Sequence, residues 1–195
     1  MLFKSPLSII FSLITTLFMI AVVVVVVSGV LAFTGGPDPC TKGGALPIET
    51  SDAQAASFDA KWDQLDAALA AGAPSSITLT ESEITSRANR YLRDKGGDVA
   101  EIRVCIYAGS GAATGDVDLP LGTAKFKATG TVELTGGHPV VQFDDVEVGN
   151  VPGVVLSPFK SAVESAIQDQ LDDVDLDHVY TVELQPGQAV ISGAP

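Results

Sequence analysis

Residues 6 to 33, PLSIIFSLITTLFMIAVVVVVVSGVLAF, run for 28 positions without a charged side chain. A helix needs roughly 20 apolar residues to cross the ~30 Å hydrocarbon core of a bilayer, and a lone helix satisfies every backbone polar group within its own segment. The stretch therefore predicts a single-pass transmembrane anchor, with residues 1–33 forming a short stub and the span. Lys4 and the amino terminus are the only positive charges ahead of it, which predicts a cytoplasmic amino terminus at the plasma membrane and an extracytoplasmic remainder. A cleaved secretory signal is the competing reading, with small residues around Val30-Leu31-Ala32. The apolar region of a signal is typically ~7 to 15 residues, much shorter than this one. A lipoprotein signal is disfavoured by Pro37-Asp38-Pro39 ahead of Cys40.

Beyond Phe33 the chain carries 24 acidic against 10 basic side chains, a formal charge of −14. Such a field opposes nucleic acid and suits a solvated, acidic domain in the cell envelope. The partner expected from the apolar stretch is membrane lipid, through the anchor; the sequence leaves any protein partner unidentified. The two cysteines, Cys40 and Cys105, invite pairing in an oxidising compartment, whereas a strand cysteine such as Cys105 serves equally as a small buried hydrophobe.

Residues 34–50, TGGPDPCTKGGALPIET, read as a Gly/Pro-rich linker, and residues 51–195 as one extracytoplasmic α+β domain. Phe58, Trp62, Leu65 and Leu69 share a helical face, ended by Gly72 and Pro74. Thr80 and Glu83 stand in capping-box spacing and predict a helix from Glu81, with Ile84, Ala88, Tyr91 and Leu92 on its apolar side and charge on its outer side. The period then becomes two. Ile102, Val104 and Ile106 alternate with Arg103, Cys105 and Tyr107, and Phe126 to Leu134 alternate with Lys125 to Glu133. A jump of apolar parity from Val141 and Phe143 to Val146 and Val148 predicts a β-bulge or bend at Asp144-Asp145. Ser157-Pro158 offers a helix start, followed by Phe159, Val163, Ile167 and Leu171 at steps of four. A hairpin around Pro186-Gly187 closes the chain.

Catalytic signatures are missing. His138 and His178 lie in no recognisable motif, zinc spacing is absent, and no cofactor is indicated, so an enzyme is not expected. Gly109 to Gly115 follows a strand but lacks the Gly-Lys-Ser/Thr ending of a phosphate-binding loop and reads as a flexible hairpin connection. Asp173, Asp175 and Asp177 imitate the start of a calcium loop, yet His178 stands where glycine is required and Leu184 where a bidentate glutamate belongs.

The helix opening at Thr-Leu-Thr-Glu-Ser-Glu-Ile (78–84), the amphipathic strands, Val-Pro-Gly-Val-Val-Leu-Ser-Pro-Phe-Lys (151–160) and the closing hairpin resemble, over about residues 77–194, the bacterial membrane-anchored proteins of the LmeA and YpmS kind, related to the tubular lipid-binding superfamily. That resemblance implies a curved antiparallel sheet wrapped around one or two amphipathic helices, with an apolar groove for acyl chains. It offers Ile84, Tyr91, Phe126, Phe143, Phe159 and Val163 as groove-lining candidates; each serves equally in a closed core. The expected function is then lipid binding or transfer, the alternative being a non-enzymatic structural or interaction protein of the envelope.

Overall fold

The computed structural model describes residues 35–95, 99–119, 122–135, 138–151 and 178–195. The apolar stretch 6–33, Phe159, Val163 and the Asp173 to Asp177 run lie outside these residues, and among the described residues no helix is long and apolar enough to cross a membrane.

The domain is α+β, with two helices and seven strands among the described residues. Helix α1 (Asp52–Ala70) starts where the Ser51 side chain accepts from Gln54 N at 3.1 Å. It stops where Gly72, at φ +77°, takes the left-handed conformation that a side chain resists. Strand β1 (Ser75–Thr80) runs directly into helix α2 (Glu81–Lys95). The join is the capping box: Glu83 N donates to Thr80 Oγ1 (3.3 Å) and Thr80 N donates to Glu83 Oε2 (2.8 Å).

The strands divide between two antiparallel sheets rather than forming the single curved sheet expected from sequence. β1 pairs with β7 (Gln188–Ala194), which pairs with β6 (Val179–Gln185), while β2 (Val99–Tyr107), β3 (Ser110–Leu119), β4 (Gly122–Thr135) and β5 (His138–Val148) form a four-stranded meander. The reason is register. Thr78 and Leu79 lie opposite Val190 and Ala189, so β1 is claimed by the distant carboxyl-terminal hairpin before β2 begins.

The three-stranded sheet and α1 enclose the core. Leu65 and Leu69 press on Ile77, Leu79 and Tyr180, flanked by Phe58, Trp62, Ile84 and Ile191. The helical stripe read from sequence is thus core-facing. Phe58 stacks on Trp62 (6.3 Å between centroids) and Trp62 on Tyr180 (5.8 Å). Gly193 leaves room for Leu69, whose Cδ1 would lie 2.5 Å from any added Cβ.

Three corrections follow. The charged side of α2 faces α1, with Arg87 and Arg90 on Asp59 and Arg93 on Asp52. Gly111 to Gly115 belong to strand β3, the β2–β3 turn being only Ala108-Gly109. Residues 35–50 lack regular structure as expected, yet they are a packed strap rather than a free linker. A side chain on Gly36 would stand 2.7 Å from Lys125 Cβ, and one on Gly44 2.7 Å from Gly187 Cα. Between these points Cys40 is bonded to Cys105, with Cα atoms 6.1 Å apart.

Candidate functional site

Pairing in the four-stranded sheet assigns every side chain to one of two faces. Val104 and Ile106 on β2, Ala113 and Val117 on β3, Phe126, Ala128 and Val132 on β4, and Val141, Phe143, Val146 and Val148 on β5 share one face. Keeping the β5 residues together requires the bulge. Thr129 pairs with Asp145 but Gly130 with Phe143, so Asp144 is the extra residue that returns Val141 and Phe143 to the side of Val146 and Val148. Gly130 sits opposite, where a Cβ would collide with the Gln142 carbonyl. Gly115 has the same function under Phe126, whose ring carbon lies 2.9 Å from the position of a Cβ.

Among the described residues this apolar face is buried only at Ile106 and Ala124. Phe126, Phe143, Val146 and Val148 are half-buried, and Val132 is 39% exposed. The opposite face is covered over part of β2 and β3, where the strap lies on it and Cys105, Ala112 and Thr114 are buried. Of the groove candidates, the structure brings Phe126 and Phe143 together on the apolar face. Ile84 packs against the α1 core, Tyr91 on α2 is 50% exposed, and Phe159 and Val163 lie outside the described residues.

A second set of residues, not indicated by apolar periodicity, holds this sheet to the rest of the domain. β2 is an edge strand, and unpaired edges invite pairing with other chains. Helix α2 closes that edge with side chains. Ile106 N donates to Glu81 Oε1 (2.6 Å), Val104 N to Thr85 Oγ1 (3.0 Å) and Ile102 N to Asn89 Oδ1 (3.0 Å), while Asn89 Nδ2 donates to Ile102 O (2.6 Å). The steps match because four helical residues rise about 6 Å and two strand residues about 6.6 Å. Asn89 meets the strand where Glu101, at φ +51°, breaks the β2–β3 register. A polar residue every fourth position of a helix that follows a strand is the signal that could have found this ladder.

Glu81 extends the ladder to the strap, since its Oε1 also accepts from Gly43 N at 2.5 Å. Gly187 N donates to Ile106 O (2.9 Å) and Glu81 N to Gly187 O (3.1 Å), so strap, α2, β2 and the β6–β7 turn meet at one buried carboxylate. Beside it an open cleft of about 470 Å³ is bordered by Leu46, Glu49, Ser82 and Gln188. Glu83 is buried too, and burial alone would raise its pKa. Hydrogen bonds from Lys61, Ser57 and both the backbone and hydroxyl of Thr80 outweigh that and hold the carboxyl below its ordinary 4.5. Glu83 is therefore an ion-paired cap, with Lys61 Nζ at 2.7 Å. Among the described residues no group of three His, Cys, Asp or Glu side chains is placed to hold a metal ion.

Comparison with known proteins finds no matching family model, no matching curated protein and no matching solved structure.

Proposed function

We propose that the chain is a single-pass, membrane-anchored protein whose extracytoplasmic domain binds or transfers lipid on the apolar face of the four-stranded sheet. The observation that carries this reading is the half-buried face that unites Phe126 and Phe143 with a row of valines. Contiguous apolar surface that the fold leaves incompletely covered marks an interaction site. A bulge and two close-fitting glycines, Gly115 and Gly130, keep that face continuous.

Two independent features support this location. Residues 6–33 have the length and composition of a membrane span, and the buried Cys40–Cys105 disulfide fits an oxidising compartment. The resemblance to LmeA- and YpmS-like proteins of the tubular lipid-binding kind supplies the ligand class, a long acyl chain. An envelope interaction protein without a lipid ligand is the second reading, supported by the formal charge of −14 carried beyond Phe33.

Native mass spectrometry of the full chain, released from a mild detergent, tests the proposal. Lipid-sized mass additions are expected on the wild type and are expected to disappear in Val146→Asp, while the thermal transition persists. A wild-type chain extracted from membranes and carrying no lipid overturns lipid binding, and crosslinks to one partner protein in intact cells then favour the second reading.

A further inference from the structure

The last residue of the apolar stretch is Phe33, and Gly35 and Gly36 are already seated on the domain. A Cβ on Gly35 would stand 2.8 Å from Asn150 Nδ2, and one on Gly36 2.7 Å from Lys125 Cβ and 3.5 Å from Gly149 Cα. Gly149 N donates to Lys125 O at 2.7 Å. These residues form one packed corner where β4 has just begun and β5 has just ended. Downstream the strap stays down, bonded at Cys40, hydrogen-bonded at Gly43 and wedged at Gly44.

No slack therefore separates the apolar stretch from the domain. Thr34 and Gly35 together span at most about 7 Å, whereas the headgroup zone on each side of the hydrocarbon core is about 5 to 7 Å deep. Resting on the reading of residues 6–33 as a membrane span, we infer that the corner formed by Lys125, Gly149 and Asn150 is seated in the headgroup layer of the membrane that holds the chain. The domain docks on that lipid surface in one orientation and does not swing on a tether.

Tether length, not headgroup charge, sets this seating. Lys125 faces Asp116 across the β3–β4 pair, Lys127 lies 3.9 Å from Glu147, and Asp38 is exposed on the strap nearby. The corner thus has no surplus of positive charge, and its seating is insensitive to salt. The strap follows the strands away from the corner, from Lys125, paired with Asp116, to Ile106, paired with Gly111. The five residue steps along β3 between Asp116 and Gly111 cover about 17 Å. The apolar face accordingly begins at its membrane end with two facing pairs, Val117 with Ala124 and Phe126 with Val148. An acyl chain leaving the bilayer meets them first.

The full chain reconstituted into phosphatidylcholine vesicles containing a lipid with a nitroxide on its headgroup tests the seating. Because both native cysteines are bonded, a fluorophore is carried on one added thiol, at Lys125→Cys beside the corner or at Leu46→Cys, where the strap is 78% exposed at its far end. Lys127→Cys repeats the near position should Lys125→Cys disturb the strap. Quenching is expected to be several-fold stronger at the near positions, and a flexible Gly/Ser insert of roughly ten residues between Phe33 and Thr34 is expected to abolish the difference. Equal quenching at near and far positions, in a chain that resists alkaline washing, overturns the seating and leaves the anchor standing. A chain that washes off the vesicles overturns the anchor and the seating with it.

Discussion

Glu81→Ala removes the acceptor on which strap, helix α2 and strand β2 converge. The carboxylate is 4% exposed, and its Oε1 receives Gly43 N at 2.5 Å and Ile106 N at 2.6 Å. Each hydrogen bond to a charged acceptor contributes about 1.5–3 kcal/mol, so the pair contributes about 3–6 kcal/mol. The cleft of about 470 Å³ that borders Glu81 admits water to the orphaned donors, which favours the lower end, about 3–4 kcal/mol. For a domain of this size 1 kcal/mol moves the melting temperature by about 2–4 °C, giving a loss of about 10 °C. Glu81→Gln keeps an oxygen and loses the charge, and about half that loss is expected. Urea unfolding of the full chain in detergent, followed by the fluorescence of Trp62, the only tryptophan, measures both variants. Trp62 is a suitable reporter because it stacks on Tyr180 across the core. Hydrogen exchange should accelerate at Gly43 and Ile106 before it does elsewhere. An alanine variant within 1 kcal/mol of wild type, with both amides still protected, would refute the argument that this carboxylate joins the strap and strand β2 to helix α2.

Three more outcomes follow from the same contacts. Glu83 has a folded-state pKa below its ordinary 4.5, so the stability it contributes is present above that value and is lost as pH falls through the lower, folded one; acid titration of unfolding should be shallower below pH 4.5 in Glu83→Gln than in wild type. Reducing the Cys40–Cys105 bond, which links residues 65 apart in sequence, should cost about 4 kcal/mol in the chain-entropy model, and the denatured, unreduced chain should show no reactive thiol. Asn89→Ala leaves both backbone groups of Ile102 without their partner, an expected loss of about 2–3 kcal/mol by urea titration, with faster exchange confined at first to the β2 edge.

Local rules read most of the elements directly. Thr80 and Glu83 gave away the start of α2 because a capping box acts within one turn. The bulge at Asp144 was legible because a period of two makes one extra residue visible as a parity jump. Pro186-Gly187 marked the closing turn, where Gly187 has φ +83°. The division into two sheets was not legible, since the pairing of Ile77 with Ile191 spans almost the whole domain and leaves no mark on either segment alone. Glu81, Thr85 and Asn89 escape a periodicity reading for a different reason. Apolar periodicity assigns polar helix positions to solvent, yet here they satisfy the backbone of an edge strand.

The strap exposes the sharper gap between composition and structure. Glycine and proline report that a segment forms no helix or strand, which is correct for residues 35–50, but they say nothing about whether it moves. At Gly44 and Gly187 the missing side chains let two backbones touch, each Cα lying within 2.9 Å of where the other residue would place a Cβ. The same small residues that permit flexibility in an isolated chain permit close docking once a partner surface exists. In this domain that surface includes Glu81, Cys105, Ile106, Lys125 and Gly187. Mobility of the strap is consequently a property of those neighbours, and weakening any of them should release the glycines to behave as the linker their composition suggests.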